Sequence, residues 1–274
     1  MSPLTPTPTP TPTPAVWLGA GDIANCAVLD YAEATAKLLD LEAGTVFTLG
    51  DNAYDRGTQA EYENCYGPTW GRHKDRTRPT PGNHEYLTAG AVPYYQYFGS
   101  KAGPAGRGYY SYDLGAWHII SLNSNVPAEE GSAQFEWLKD DLALHQSGCA
   151  AGYWHYPTFS SGYDGNMLQM RAIWRLLYLN SVELVLSGHA HDYERFTPMD
   201  GNGNVDIARG IREFVVGTGG ATFTGIGVRQ PNSEVLTNSV HGILKLMLSQ
   251  NSYTWEFLPS TGSAFFDSGQ GTCF

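Results

Sequence analysis

Five short pieces of the chain pair metal-binding residue types with glycines that let a backbone turn. They are Gly21-Asp22, Gly50-Asp51-Asn52-Ala53-Tyr54, Gly82-Asn83-His84-Glu85, His155 and Gly188-His189-Ala190-His191. As ligands they offer two carboxylates, a phenol, an amide and at least three imidazoles, enough oxygen and nitrogen for two cations. Singly, each is weak. A Gly-Asp after a strand is usually a turn or cap, an HxH is a loose signal, and a lone histidine such as His155 is structural by default. In this order along one chain they predict a dinuclear metal site. Asp51 has two oxygens and can bridge two cations. Asp22 stands in the same setting one strand earlier. His189 and His191 are one residue apart, so their rings can approach different metals. Asn83 offers a hard neutral carbonyl oxygen. His84, next to it, cannot easily bind the same ion and is left free for a substrate.

These residues need elements that end beside one another. Ala15–Ala20 is a short apolar run ending at Gly21-Asp22. Asp30 opens a helical stretch over 31–41, with Ala32, Ala36 and Leu39 near helical spacing and Glu33 at a capping-box position. Thr45–Leu49 reads as a strand ending at Gly50-Asp51, which implies parallel strands joined by a right-handed crossover. Residues 52–108, rich in Tyr, Gly and Pro, read as long loops with short helices. Residues 107–113 and 116–122 read as paired strands around Leu114-Gly115. An amphipathic helix over 132–146, capped by Ser132, follows. A strand over 149–155 ends at His155, a helix covers 167–181, and a strand over 182–187 ends at Gly188-His189. Further strands are predicted at 211–216, 242–248 and 252–258. The candidate ligands thus lie past the carboxyl ends of strands, where open α/β sheets bind ligands. The late antiparallel strands predict a second sheet packed on the first, with helices outside.

Bulk properties narrow the alternatives. The chain has 274 residues, 42% of them hydrophobic, enough for one large domain over 15–274. Its formal net charge of −11 argues against nucleic-acid binding, which needs a basic stripe. A phosphorylated small-molecule substrate stays compatible, because bound cations reverse the local field. No apolar stretch is long enough to span a membrane. Residues 5–14 are five Thr-Pro repeats, which fix an extended rod. Residues 1–14 are expected to be a disordered linker remnant, the export signal removed and a neighbour domain, in a wall or polysaccharide setting, beyond it. Four scattered cysteines without a CxxC fit two disulfides in a secreted or extracytoplasmic protein; four allow three pairings.

The set resembles the calcineurin-like metallophosphoesterases and, within them, the purple acid phosphatases. The family pattern of GD, GDxxY, GNH(D/E), a strand-terminal His and GHxH occurs complete from Gly21 to His191. Tyr193-Glu194-Arg195 and Gly217-Thr218-Gly219-Gly220 extend it in the manner of the purple subgroup. Most of the superfamily has Asp-x-His in the first motif; here Ala24 cannot coordinate, and Tyr54 stands three residues after Asp51 instead. The resemblance implies an α/β fold of two packed mixed β-sheets flanked by helices, a four-layer αββα sandwich. It also implies Fe³⁺ held by Asp22, Asp51, Tyr54 and His191. A divalent ion (Zn²⁺, Mn²⁺ or Fe²⁺) would be held by Asp51, Asn83, His155 and His189.

In such an enzyme a metal-bound hydroxide attacks a phosphomonoester directly. His84 and Asn83 contact the substrate, with Glu85 orienting His84. The loop 157–166 has no histidine, unlike the plant enzymes, so the proton donor to the leaving group is open, with Asp164 and Tyr163 as candidates. A phosphodiesterase acting on nucleotides or lipid headgroups with the same metals is the alternative, and a non-catalytic binding module the more distant one. Cys26 and Cys65 each follow a ligand loop on the same edge of neighbouring strands, which favours Cys26–Cys65 with Cys149–Cys273. The basic run Arg72, His73, Lys74, Arg76 and Arg78 is expected to be a solvated face, or a device drawing anions to the cleft. Arg195 is expected in an ion pair, and His118, His145 and His241 in structural or solvated positions.

Overall fold

The structure, a computed structural model, describes residues 13–104, 106–145, 148–260 and 262–274. All but the last two residues of the Thr-Pro stretch, and the end of the helix expected to reach residue 146, lie outside them.

In chain order the strands are β1 (Ala15–Ala20), β2 (Ala24–Asn25), β3 (Thr45–Leu49), β4 (Ala53–Tyr54), β5 (Thr77–Thr80), β6 (Tyr110–Leu114), β7 (Trp117–Ser121) and β8 (Ala150–Tyr153). They continue with β9 (Leu184–Ser187), β10 (Tyr193–Phe196), β11 (Arg212–Val216), β12 (Ser233–Thr237), β13 (Gly242–Leu248), β14 (Ser252–Pro259) and β15 (Ser268–Thr272). The α-helices are α1 (Leu29–Leu41), α2 (Gln59–Glu61), α3 (Asn83–Tyr86), α4 (Val92–Phe98), α5 (Ala133–Leu144) and α6 (Arg171–Leu179).

One sheet runs β15-β14-β13-β1-β3-β5 and the other β12-β10-β11-β9-β8-β7-β6; β2 and β4 make a small parallel ribbon. Both large sheets are mixed. β1, β3 and β5 are parallel in the first, and β7, β8, β9 and β11 in the second. Side-chain alternation explains why the second sheet can be covered on both sides. Leu184, Leu186, Phe214 and Val216 face the core shared with Trp17, Phe47 and Leu246 of the first sheet. Their neighbours Val185 and Val215 face the other way, onto Leu138 and Leu142 of α5 and Ile173, Trp174 and Leu177 of α6. Helix α1 covers the first sheet through Ala32, Ala36 and Leu39, all fully buried. The result is the expected four-layer αββα arrangement.

Several local expectations change. The late strands do not build the second sheet alone: β13, β14 and β15 extend the first, with β13 antiparallel to β1, while β10, β11 and β12 join the second. Helix α1 starts at Leu29 after Val28, without a side-chain cap. Asp30 therefore sits inside its first turn, and Glu33 binds Arg72 rather than closing a capping box. Ser132 caps α5 as expected, accepting from the Phe135 N–H. Strand β5 went unseen in the sequence because Thr77-Arg78-Pro79-Thr80 has no apolar run and contains a proline. It lies at a sheet edge, where a proline is tolerated.

The basic run is spent on internal ties. Arg72 pairs with Glu33 and Asp40, Arg76 donates to the carbonyls of Leu39 and Gly44, and Arg78 lies over the Tyr112 ring. Arg195 is held by Asp267 and Glu234. The disulfides are Cys26–Cys65 and Cys149–Cys273, the expected pairing.

His118, on β7, is structural. It donates to Asp141 at 2.7 Å and to Asp113 at 3.1 Å, and its ring stacks on His145 with centroids 3.7 Å apart. Burial alone would lower its pKa, but the hydrogen bonds to Asp141 and Asp113 outweigh that and raise it. Burial alone would raise the Asp141 pKa, but the hydrogen bond from His118 outweighs it and lowers it. A raised histidine contributes stability fully below its unfolded value near 6.5 and loses it as pH rises through the folded value. A depressed carboxylate contributes above about 3.9 and loses it in acid. His118→Asn should therefore cost about 1–2 kcal/mol near pH 5–6 and clearly less at pH 9. Denaturant melts at the two pH values measure this; an equal cost at both would show that the charged pair contributes nothing.

Candidate metal centre

The candidate ligands converge at the carboxyl ends of parallel strands from both sheets. Asp22 follows β1, Asp51 follows β3, Asn83 opens α3 after β5, His155 follows β8, and His189 and His191 follow β9. Three of these residues adopt the left-handed region without being glycine: Asp22 (φ 59°), Asp51 (φ 48°) and His189 (φ 69°). Such backbone costs on the order of 1–3 kcal/mol per residue and clusters at functional sites. The glycines beside them supply room. A Cβ on Gly82 would stand 2.1 Å from Asp51 Oδ1, and one on Gly50 2.6 Å from His155 Nδ1.

One group of donors surrounds the Tyr54 hydroxyl. It lies 2.9 Å from Asp22 Oδ1, 3.1 Å from His191 Nε2 and 3.2 Å from Asp51 Oδ2. A phenol has one proton, so it can satisfy only one of the two carboxylates. Four donor atoms about 3 Å apart are what ligands around one cation at about 2.1 Å would show. The outer nitrogen of His191 is fixed by the Thr222 carbonyl at 2.6 Å, and Asp22 Oδ2 accepts from the His189 N–H.

A second group adjoins it through Asp51. His155 Nε2 is 3.3 Å from Asp51 Oδ2 and 2.9 Å from Asn83 Oδ1, while its Nδ1 meets the Leu49 carbonyl at 2.7 Å. Asp51, His155 and His189 each offer an atom within 4.8 Å of the others. His189 Nε2 is buried and has no hydrogen-bond partner among the described residues. An orphaned buried nitrogen facing a carboxylate suits a cation. The donor set therefore fits two metal ions.

The electrostatics agree with a site built for positive charge. Burial alone would lower the pKa of His155 and His191, yet the Asp51 and Asp22 carboxylates raise both to about 9. Burial and the neighbouring His155 push His189 down to about 4. Burial works to raise Asp51, but His155 and His84 outweigh it and hold its carboxyl below the usual range. Burial and the carboxylates of Asp22 and Asp51 raise the Tyr54 phenol well above its usual value.

His84 is close but points differently. Its backbone N–H donates to Asp51 Oδ1, its Nδ1 meets the Asp55 carbonyl at 2.6 Å, and its Nε2 lies 3.8 Å from Asp51 Oδ2. Glu85 does not orient it. The Glu85 carboxylate is fully buried and accepts the N–H groups of Asp51, Asn52, Ala53 and Gly82 and the Tyr62 hydroxyl. It braces the Gly50–Tyr54 loop against the Gly82–Glu85 turn. Burial and Asp51 raise its pKa to about 7, against the donating N–H groups.

Asp164 is exposed, with Oδ2 3.5 Å from His189 Nε2, and Tyr163 beside it points to solvent. The loop that carries them rests on two buried carboxylates the sequence did not single out for this. Glu213 accepts from Thr158 and Phe159, and Glu194 from the Ser161 N–H and hydroxyl. Glu194 lies in the Tyr-Glu-Arg extension, which was the only hint; Glu213, inside an apolar strand, gave none beyond being a charge there. Tyr156 was also missed: its ring lies 4.6 Å from that of His189 and 5.3 Å from that of His155.

A two-sheet sandwich with helices outside and carboxylates, an amide and histidines gathered at its strand ends defines a metallohydrolase scaffold. The chain belongs to the calcineurin-like phosphoesterase family, whose model matches residues 18–193. Among similar proteins, purple acid phosphatase 15 of Arabidopsis thaliana is 26% identical over 187 residues, 55% of this chain and 35% of that protein. Purple acid phosphatase 21 of the same plant is 32% identical over 162 residues, 50% of this chain and 37% of the relative. The matched part thus spans little more than a third of those relatives. A purple acid phosphatase from yellow lupin seeds shares the fold with a TM-score of 0.76 at 20% identity, covering 96% of this chain and 55% of that one. Within its family the chain is purple acid phosphatase-like.

Proposed function

We propose that this chain is a dinuclear metal phosphoesterase hydrolysing phosphomonoesters, with an Fe³⁺ at Asp22, Asp51, Tyr54 and His191. The second site is Asp51, Asn83, His155 and His189, and takes Zn²⁺, Mn²⁺ or Fe²⁺. The observation that carries this is the Tyr54 phenol oxygen within 3.2 Å of two carboxylates and of His191 Nε2, four ligand-type atoms gathered about one point. A phenolate is a hard anionic ligand suited to a trivalent ion. Two cations in such a site polarise phosphate oxygens and acidify a water. The chain's own residues bind and orient. Asp51 is shared between the two groups, His84 Nε2 faces the place where phosphate charge develops, and Asn83 holds the other side. Asp164, beside His189, is the candidate to protonate the leaving alcohol.

The substrate is read as a phosphorylated small molecule, since a formal charge of −11 disfavours nucleic acid. Two disulfides support action in an oxidising, extracytoplasmic compartment. Residues 15–274 are read as one catalytic domain, with room for a neighbour beyond the Thr-Pro linker. Among the described residues, no helix is long and apolar enough to cross a membrane.

Metal analysis with a visible spectrum tests the assignment. The oxidised protein should hold two metals and absorb in the visible through phenolate-to-iron charge transfer. Tyr54→Phe keeps the ring, removes the oxygen, and should bleach that band and weaken the first site. An active, colourless wild type loaded with two divalent ions would refute the iron assignment and leave a zinc or manganese variant of the same enzyme.

A further inference from the structure

Tyr156 follows the strand-terminal His155, and its position is fixed with unusual thoroughness. Its N–H donates to Ser124 Oγ at 3.1 Å, and its carbonyl accepts from the Trp154 indole at 2.7 Å. Its ring meets His189 edge-on, with the planes at 81°, and lies beside His155. The side chain is half-buried. Its hydroxyl has no hydrogen-bond partner among the described residues.

A phenylalanine would cover the two histidine rings equally well. The hydroxyl is therefore unexplained by packing, and the ring that carries it lies against His189, whose Nε2 has no hydrogen-bond partner among the described residues. We propose that Tyr156 is a substrate-contacting residue, its hydroxyl donating a hydrogen bond to an oxygen of the bound phosphate ester. The ring, beside His155 and His189, then forms a wall of the metal centre against which the organic part of the ester lies. A neutral donor here adds a contact to the phosphate without adding charge to the cleft.

This inference rests on the phosphoesterase reading, and the test separates the two. Metal-loaded wild type and Tyr156→Phe are titrated calorimetrically with inorganic phosphate and assayed on an aryl phosphate monoester. Since the hydroxyl has no protein partner, the variant should keep its fold, metal content and melting temperature. It should bind phosphate at least about tenfold more weakly, as for loss of one hydrogen bond to a charged group, with kcat/KM falling in parallel. A wild type that binds no phosphate overturns the phosphoesterase reading and this inference together. A wild type that binds phosphate, with a Tyr156→Phe variant that binds it equally well, overturns the role of Tyr156 alone.

Discussion

Asp51→Asn should lose at least one metal ion and nearly all turnover, more than about 10³-fold in kcat. Asp51 Oδ2 is the atom common to both donor groups, 3.2 Å from the Tyr54 hydroxyl and 3.3 Å from His155 Nε2. Asparagine replaces one anionic oxygen with an amide, which cannot serve two cations. It tolerates the left-handed backbone that Asp51 adopts, so the change adds little strain. Its remaining oxygen can still accept the His84 N–H that Asp51 Oδ1 accepts now. The effect is therefore on charge and bridging rather than on folding. Elemental analysis and single-turnover kinetics on the same sample are decisive: unchanged metal content with unchanged rate would remove Asp51 from the centre.

His84→Ala should do something different: keep both metals and lower kcat by roughly 10²–10³-fold, the loss associated with one preorganised donor. The His84 ring is anchored by Nδ1 on the Asp55 carbonyl and lies 4.4 Å from the Tyr54 ring, leaving Nε2 directed at the site. Its distance of 3.8 Å from Asp51 Oδ2 is too long for a hydrogen bond. The nitrogen is near enough to reach a phosphate held there. Loss of metal from this variant would mean that His84 is a ligand after all.

What the sequence revealed followed its periodicities. Apolar runs ending in Gly-Asp marked β1 and β3, and Ser132 marked the start of α5, because strand alternation and capping are local. Distant pairing left no such mark. Nothing local says that β13 lies against β1 rather than in the second sheet, since that choice is made by packing of Leu244 and Leu246 into the shared core. The candidate ligands could be named because their chemistry is written in residue type and order. Glu85 was recognised as part of a motif and given the wrong neighbour: its contacts depend on how two loops fold over each other, which the motif does not encode. Glu213 and Tyr156 were invisible for the same reason, each mattering through partners more than 50 or 30 residues away.

The left-handed backbone at Asp22, Asp51 and His189 places function and durability in opposition. At about 1–3 kcal/mol each, three such residues consume a large part of the 5–15 kcal/mol by which a domain of this kind outlasts unfolding. Glycine at these positions would relieve the chain and abolish its ligands. The metal-free polypeptide is thus held away from its own stability optimum, and cation binding to the native state alone returns free energy by mass action. Metal supply would then govern how long the protein survives as well as what it does, so that scarcity shows first as faster turnover of the polypeptide itself.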